Sequence, residues 1–144
     1  MAVLPGSFGS TVNTVRAVGR RLVEQGNGGT LCNIATTSAL NGMPYGSAYA
    51  AAKAAVEMLT VYMAKEFGPR GIAVNTVAPG AIETDFFGGA VRDTPDFNKF
   101  FADMTALGRV GVADDIGPMV ASLLSEDQRW INAQRIEVSG GQGI

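Results

Sequence analysis

The 144-residue chain contains no histidine and a single cysteine, Cys32. Those two absences remove a Ser-His-Asp triad, a Cys-His pair, a Cys/His zinc site and an internal disulfide, and they predict no metal. Tyrosine, lysine, hydroxyl side chains and carboxylates remain as the groups able to move protons. Cys32 falls in an apolar run and reads as a buried structural thiol, in keeping with a reducing cytoplasm. Charge is sparse as well. Only 17% of the residues are Asp, Glu, Lys or Arg, with a net charge of −2, so there is no electrostatic footprint for nucleic acid and no basic patch for a membrane surface. The stretch from Gln25 to Ala52 carries no charge, but its Gly, Asn, Thr and Pro content argues against a bilayer span. The amino terminus has no signal-peptide pattern. No internal repeat or low-complexity linker appears. The expectation is one cytoplasmic domain over residues 1–144, without nucleic-acid or membrane partners, acting on a small molecule.

Several segments carry a clear period. Val12, Val15, Val18 and Leu22 recur at helical spacing, with Gly26 as a stop, which predicts an amphipathic helix over about 10–25. Residues 30–36 read as a short buried strand, 47–68 as a long Ala-rich helix and 72–77 as a second strand. Together they make a βαβ unit. The small residues of the long helix allow close approach of a neighbour. The region after Gly80 reads as irregular and then helical, with five phenylalanines between residues 86 and 101; Gly88-Gly89 marks a turn or a hinge. A helix begins near Asp114 and Asp115, where carboxylates suit the positive end of the dipole. The run 133–141 supplies a last strand.

The stretch TLCNIATTSALNGMPYGSAYAAAK, residues 30–53, organises the rest. It places Tyr49 and Lys53 four apart at the opening of a helix, one above the other on the same face. A nearby ammonium favours phenolate and moves the tyrosine pKa down, towards the range useful to a general acid or base. Thr36 ends the preceding strand thirteen residues before Tyr49. Asn33, Ile34, Tyr49, Lys53, Asn75, Val77, Pro79, Gly80, Ile82 and Thr84 follow in order. This set resembles the short-chain dehydrogenase/reductase family, with its N-[IV]-S-S, Y-x-x-x-K and N-x-[IV]-x-P-G-x-[IV]-x-T motifs. Gln134, Ile136, Val138, Gly140 and Gly141 match the family's closing Q-x-I-x-V-x-G-G.

The resemblance covers residues 6–141 and corresponds to the C-terminal part of the family domain. It implies an α/β fold, a partial doubly wound, Rossmann-like parallel sheet of about three strands with flanking helices. It also implies an NAD- or NADP-dependent oxidoreductase moving hydride between nicotinamide and an alcohol or carbonyl substrate. Tyr49 would donate or accept the proton, Lys53 would depress the tyrosine pKa and hold the nicotinamide ribose, and Thr36 would align the substrate oxygen. The backbone at Ile82 and the Thr84 hydroxyl would hold the carboxamide, and Pro79 and Gly80 would shape the turn that lets the ring approach. The family's two long helices commonly form a dimer interface, so a homo-oligomer is implied. Two departures stand out. Thr36 occupies a position usually held by Ser, keeping the hydroxyl but adding a methyl. The glycine-rich T-G-x-x-x-G-x-G loop is not among the 144 residues. The alternative reading is therefore a catalytically silent fragment that acts only through helix-mediated association.

Overall fold

The computed structural model describes residues 3–41 and 46–144. Three strands, β1 (Gly29–Ile34), β2 (Ile72–Pro79) and β3 (Arg135–Val138), form one parallel sheet in the order β1-β2-β3. The helices are α1 (Val3–Gln25), α2 (Ser38–Asn41), α3 (Ser47–Phe67), α4 (Ala90–Asp93), α5 (Pro95–Asp103) and α6 (Ala113–Leu123). The partial doubly wound sheet and its flanking helices are as the sequence predicts. Several boundaries differ; β1 ends at Ile34 rather than at 36, and β2 runs on to Pro79 rather than to 77. The first helix begins at Val3, well ahead of residue 10, because Pro5 falls in the first turn, where a missing N–H costs nothing. A short helix, α2, occupies part of what reads as a loop; the rest of that loop, residues 42–45, lies outside the described residues. The last strand is confined to Arg135–Val138.

β2 is the central strand. Its residues from Ile72 to Ala78 are all buried, with no alternation of exposed and buried positions, because both faces are covered. Ile72 and Val74 point to one face and pack with Val15 of α1 and Met63 and Ala64 of α3, joined by Leu22, Val23, Leu31, Leu59 and Phe67. Burying each such aliphatic side chain contributes roughly 1.5 to 3 kcal/mol. The α1 stripe is rotated from the predicted one: Val15 is buried and Leu22 and Val23 pack, whereas Val18 is 39% exposed.

Polar groups inside this packing are paired. Among the described residues, no buried side-chain nitrogen or oxygen lacks a partner. Thr60 of α3 donates to the Val56 carbonyl at 2.9 Å, and its oxygen accepts from Asn33 Nδ2 on β1 at 2.8 Å and from Thr76 Oγ1 on β2 at 2.7 Å. One hydroxyl thus ties the helix to two strands. Asn75, pointing to the other face of β2, donates Nδ2 to the Ile131 carbonyl at 2.7 Å and accepts the Gln134 N–H at 3.0 Å, which fixes the approach to β3. Asp115 behaves as a helix-start device: it accepts the Val112 N–H at 2.8 Å and pairs with Arg109 at 2.7 Å. The Arg109 guanidinium holds its carboxyl down at about 2. No described helix is long and apolar enough to cross a membrane.

Candidate active site

β1 ends at Ile34, but the chain stays in register with β2 for three more residues: Ala35 N–H donates to the Val77 carbonyl at 2.8 Å and Thr37 N–H to Pro79 at 3.0 Å. This extension carries Thr36 past the carboxyl edge of the sheet, the place where open parallel sheets build their sites. Thr36 is 9% exposed, and its oxygen accepts the Ser38 N–H at 3.3 Å. Its hydroxyl stands near enough to the Tyr49 phenol to favour the phenolate. Ser38 sits in the first turn of α2.

Tyr49 and Lys53 lie one turn apart near the start of α3, as their spacing predicts. Both are half-buried, and the Lys53 ammonium nitrogen is 5.9 Å from the Tyr49 ring centroid, at the outer limit of a cation–π contact. That nitrogen donates to the Ile34 carbonyl at 2.8 Å. The carbonyl is available because N–H groups of odd-numbered residues along this strand point to β2. A residue of a parallel strand sends its N–H and C=O the same way, so Ile34 faces away from β2.

The electrostatics correct one expectation. Lys53 does not pull the phenol down. Burial pushes the Tyr49 pKa above its ordinary value, and the bond from Thr36 only partly offsets this. Burial likewise lowers Lys53. Both groups lose water in the same half-buried position, and the ammonium is directed to a backbone oxygen rather than to the phenol. Tyr49 is therefore a phenol at neutral pH. Since its folded pKa lies above the unfolded one, the neutral form is the one folding favours. Its contribution is complete below the ordinary phenol range near pH ~10 and is lost as pH rises through the folded value. Denaturation of the chain beside Tyr49→Phe should show the parent losing stability relative to the variant only above about pH 10; parallel curves to pH 11 would show a fully hydrated phenol.

The second strand delivers the other predicted residues. After Pro79 the chain turns at Gly80, whose N–H donates to the Val138 carbonyl at 3.2 Å. A Cβ at Gly80 would lie 2.8 Å from Gln142 Oε1 and 2.9 Å from Ser139 Cβ, so only glycine fits. Gln142, 3% exposed, accepts the Ala81 N–H at 2.6 Å. Ile82 forms a parallel bridge with Gly111 made by its neighbours, Glu83 N–H to Gly111 and Gly111 N–H to Ala81, both 2.9 Å. In such a bridge the N–H and C=O of Ile82 itself point to the opposite side. The Thr84 oxygen accepts the Phe86 N–H at 3.3 Å, and the Phe86 ring lies 5.9 Å from that of Tyr49.

The structure thus brings Thr36, Tyr49 and Lys53 together directly, and links Thr84 to Tyr49 through Phe86. Three contributors were not singled out from sequence: Gln142, Thr60 and Arg135. The last donates to Glu57 at 2.9 Å and to the Thr36 carbonyl at 3.4 Å. Gln142 could have been noticed, since it follows the closing Gly140-Gly141 pair. A surface groove of about 350 Å³ between α3 and β3 is lined by Ala54, Met58, Val61 and Arg135 among others and does not include Tyr49. A second, about 260 Å³, runs along β1 and α1 and includes Lys53 and Cys32. The Cys32 thiol is half-buried and pushed up by that burial, as suits an inert thiol.

Residues 2–142 match the family model described as "Enoyl-(Acyl carrier protein) reductase". A short-chain type dehydrogenase/reductase of Picea abies is 39% identical over 132 residues, covering 88% of this chain and 46% of the relative. Among solved structures, a gluconate 5-dehydrogenase from Burkholderia cenocepacia, in complex with NADP and tartrate, is 32% identical. It superposes with a TM-score of 0.84 over 90% of this chain and 50% of that one. A 4-hydroxyisoleucine dehydrogenase complexed with NADH is 29% identical and gives 0.88 over 96% and 57%. The chain spans about half the length of these relatives. With the ordered motifs, the parallel sheet and these matches in agreement, the chain belongs to the short-chain dehydrogenase/reductase family.

Proposed function

We propose that this chain carries the reacting end of an NAD- or NADP-dependent oxidoreductase acting on an alcohol or carbonyl substrate. The observation that carries the reading is the Thr36 hydroxyl beside the Tyr49 phenol, with Lys53 one helical turn on and its ammonium nitrogen 5.9 Å from the ring. The cofactor would supply or take a hydride at the substrate carbon. Tyr49 and Lys53 would hold its nicotinamide ribose, and Ile82 and Thr84 its carboxamide. The outward-facing N–H and C=O of Ile82, beside the glycine-tight turn at Pro79-Gly80, suit a flat amide.

In reduction, Tyr49 gives its phenolic proton to the carbonyl oxygen as negative charge develops there. In oxidation the phenolate takes the alcohol proton. The raised phenol pKa suits the first direction at neutral pH. Thr36 donates a hydrogen bond to the same oxygen and fixes its position against the phenol. Relatives bound to NADP and to NADH support a dinucleotide of either kind. The exposed Met58, Val61 and Tyr62 on α3 support homo-oligomer formation through that helix.

A second reading, a silent fragment associating through its long helices, is favoured by one observation: no glycine-rich pyrophosphate loop is among these residues. Carbonyl-dependent oxidation of NADH or NADPH by the purified chain, with Thr36 varied, separates the two. Thr36→Ser should stay within about threefold of the parent, whereas Thr36→Val, which keeps shape and deletes the hydroxyl, should lose roughly tenfold to a hundredfold, as for one hydrogen bond to a charged group. Equal rates for Thr and Val would assign the substrate oxygen to another donor. No turnover in any form would favour the silent fragment.

A further inference from the structure

Among the described residues, the ion pairs of Arg92, Lys99 and Arg109 stand in water, with those basic side chains 45% exposed or more, and such pairs contribute little. Arg135 is different. Its side chain is 22% exposed and that of its partner Glu57 17%. Arg135 opens β3 opposite Thr76 of β2, and Glu57 lies one helical turn beyond Lys53 on α3, in the series Tyr49, Lys53, Glu57. A charged pair withdrawn from water is costly unless its hydrogen bonds are satisfied.

Here they are satisfied in three directions. Nε donates to Glu57 Oε1 at 2.9 Å, Nη1 to Glu137 Oε2 at 3.0 Å and Nη2 to the Thr36 carbonyl at 3.4 Å. Glu137 is held in turn by the Ser139 hydroxyl at 2.7 Å. The three acceptors belong to α3, to β3 and to the end of the β1 extension. The sheet does not set the Thr36 carbonyl, because the ladder to β2 is made through Ala35 and Thr37. Its described donors are the Ala39 N–H, which opens the turn into α2, at 3.3 Å, and Arg135. A planar guanidinium fixed on two carboxylates has its third direction determined, so the longest of the three bonds is aimed by the two shorter ones.

We propose that Arg135 is a positioning residue for the reaction: through Glu57 it clamps the Thr36 backbone to the helix that carries Tyr49, and so holds the Thr36 hydroxyl beside the phenol. The inference rests on the reading of Tyr49 and Thr36 as the groups that hold the substrate oxygen. Arg135 acts through the Thr36 backbone and not on the substrate. Its effect is legible at the phenol. Burial raises the Tyr49 pKa and the Thr36 hydroxyl partly offsets it, so a Thr36 that drifts from its place leaves the phenolate less favoured. A lysine at the same position has the charge but a single point of attachment, and cannot hold three acceptors on three elements.

The test reads the phenol rather than turnover. With the tyrosine Cζ atoms labelled with carbon-13, the phenol–phenolate equilibrium of Tyr49 is followed by NMR in the whole chain; Tyr49→Phe assigns the signal and the exposed Tyr62 serves as reference. Thr36→Val should lower the phenolate equilibrium constant about twofold to tenfold, as for loss of one hydrogen bond. Arg135→Met, uncharged and of similar length, should lower it at least about twofold. Tyr62 should not move, and Arg135→Met should add nothing once Thr36 is valine. An unchanged Tyr49 in either single variant overturns the clamp. An equal fall from Arg135→Met in the Thr36→Val background overturns it as well, since Arg135 would then be a charge acting on the phenol through space. If Arg135→Met fails to fold, Arg135→Lys decides: the same Thr36-dependent fall is expected, and a Tyr49 like the parent's overturns the clamp. Tyr49→Phe with turnover intact would remove the proton-donor reading and leave the hold of Arg135 on Thr36 standing.

Discussion

Replacing Tyr49 with phenylalanine is expected to lower turnover by ~10² to 10⁴ and to leave the fold intact. The substitution deletes one oxygen from a half-buried ring whose packing against Phe86 does not depend on it. Thr36 loses one partner but keeps its oxygen on the Ser38 N–H, so no large rearrangement is forced. What disappears is the phenolic proton beside the Thr36 hydroxyl. The Lys53 ammonium points at the Ile34 carbonyl, 2.8 Å away, rather than at the place the phenolic oxygen leaves. Steady-state kinetics with unfolding curves for both proteins check the point. A kcat within a factor of two of the parent would remove Tyr49 from the chemistry, whatever its spacing from Lys53.

The largest effect on stability is expected from Thr60→Val. A hydroxyl has one proton to give and two lone pairs, and Thr60 uses all three, on Val56, Asn33 and Thr76. Valine fills the same space and satisfies none of them. It leaves the Asn33 amide, in a residue 8% exposed, and the Thr76 hydroxyl, in one 1% exposed, without their acceptor. At ~1 to 3 kcal/mol for each buried group left unpaired, the loss should be roughly 2 to 5 kcal/mol. That is a large part of the ~5 to 15 kcal/mol holding an ordinary domain together. Thr60→Ser should retain most of the stability. Adding Thr76→Val to Thr60→Val should cost less than the sum of the two single changes, because the first has already orphaned the second. A denaturant-derived loss under about 1 kcal/mol would mean that the partners find one another or water. Function is tied to the same hydroxyl: Asn33 precedes Ile34, which holds Lys53, and Thr60 sits two turns beyond Lys53 on α3. The network therefore sets the height of that helix against β1, and with it the distance from Tyr49 to Thr36.

Much of this was legible in the sequence. The spacing of Thr36, Tyr49 and Lys53, the two strands that bracket them and the Pro79-Gly80 turn all follow from local pattern, because period and turn chemistry act over a few residues. Thr60 was not legible. A threonine in an Ala-rich helix carries no sign of which strands it will meet, and only the register of β1 against β2 brings Asn33 and Thr76 to it. The direction of the Tyr49 pKa was misjudged for a similar reason. Four-residue spacing says that the ammonium and the phenol share a face, but not how much water each loses or that a backbone carbonyl will claim the ammonium. The place of Phe86 was not legible either, since composition does not distinguish an aromatic turned inward from one left exposed beside Tyr49.

The outward turn of Ile34 has a counterpart all along β1. Alternate amides of this strand live in different environments: those of Leu31, Asn33 and Ala35 are directed at β2, while those of Thr30, Cys32 and Ile34 are directed away from it. Neighbouring amides in one six-residue strand therefore keep two clocks for solvent deuterium. The inner set waits on separation of β1 from β2, an event as rare as disruption of the Thr60 hub, and the outer set follows whatever covers the edge. Deuterium uptake at Thr30, Cys32 and Ile34 is thus a meter for edge coverage that needs no substrate, no cofactor and no reaction.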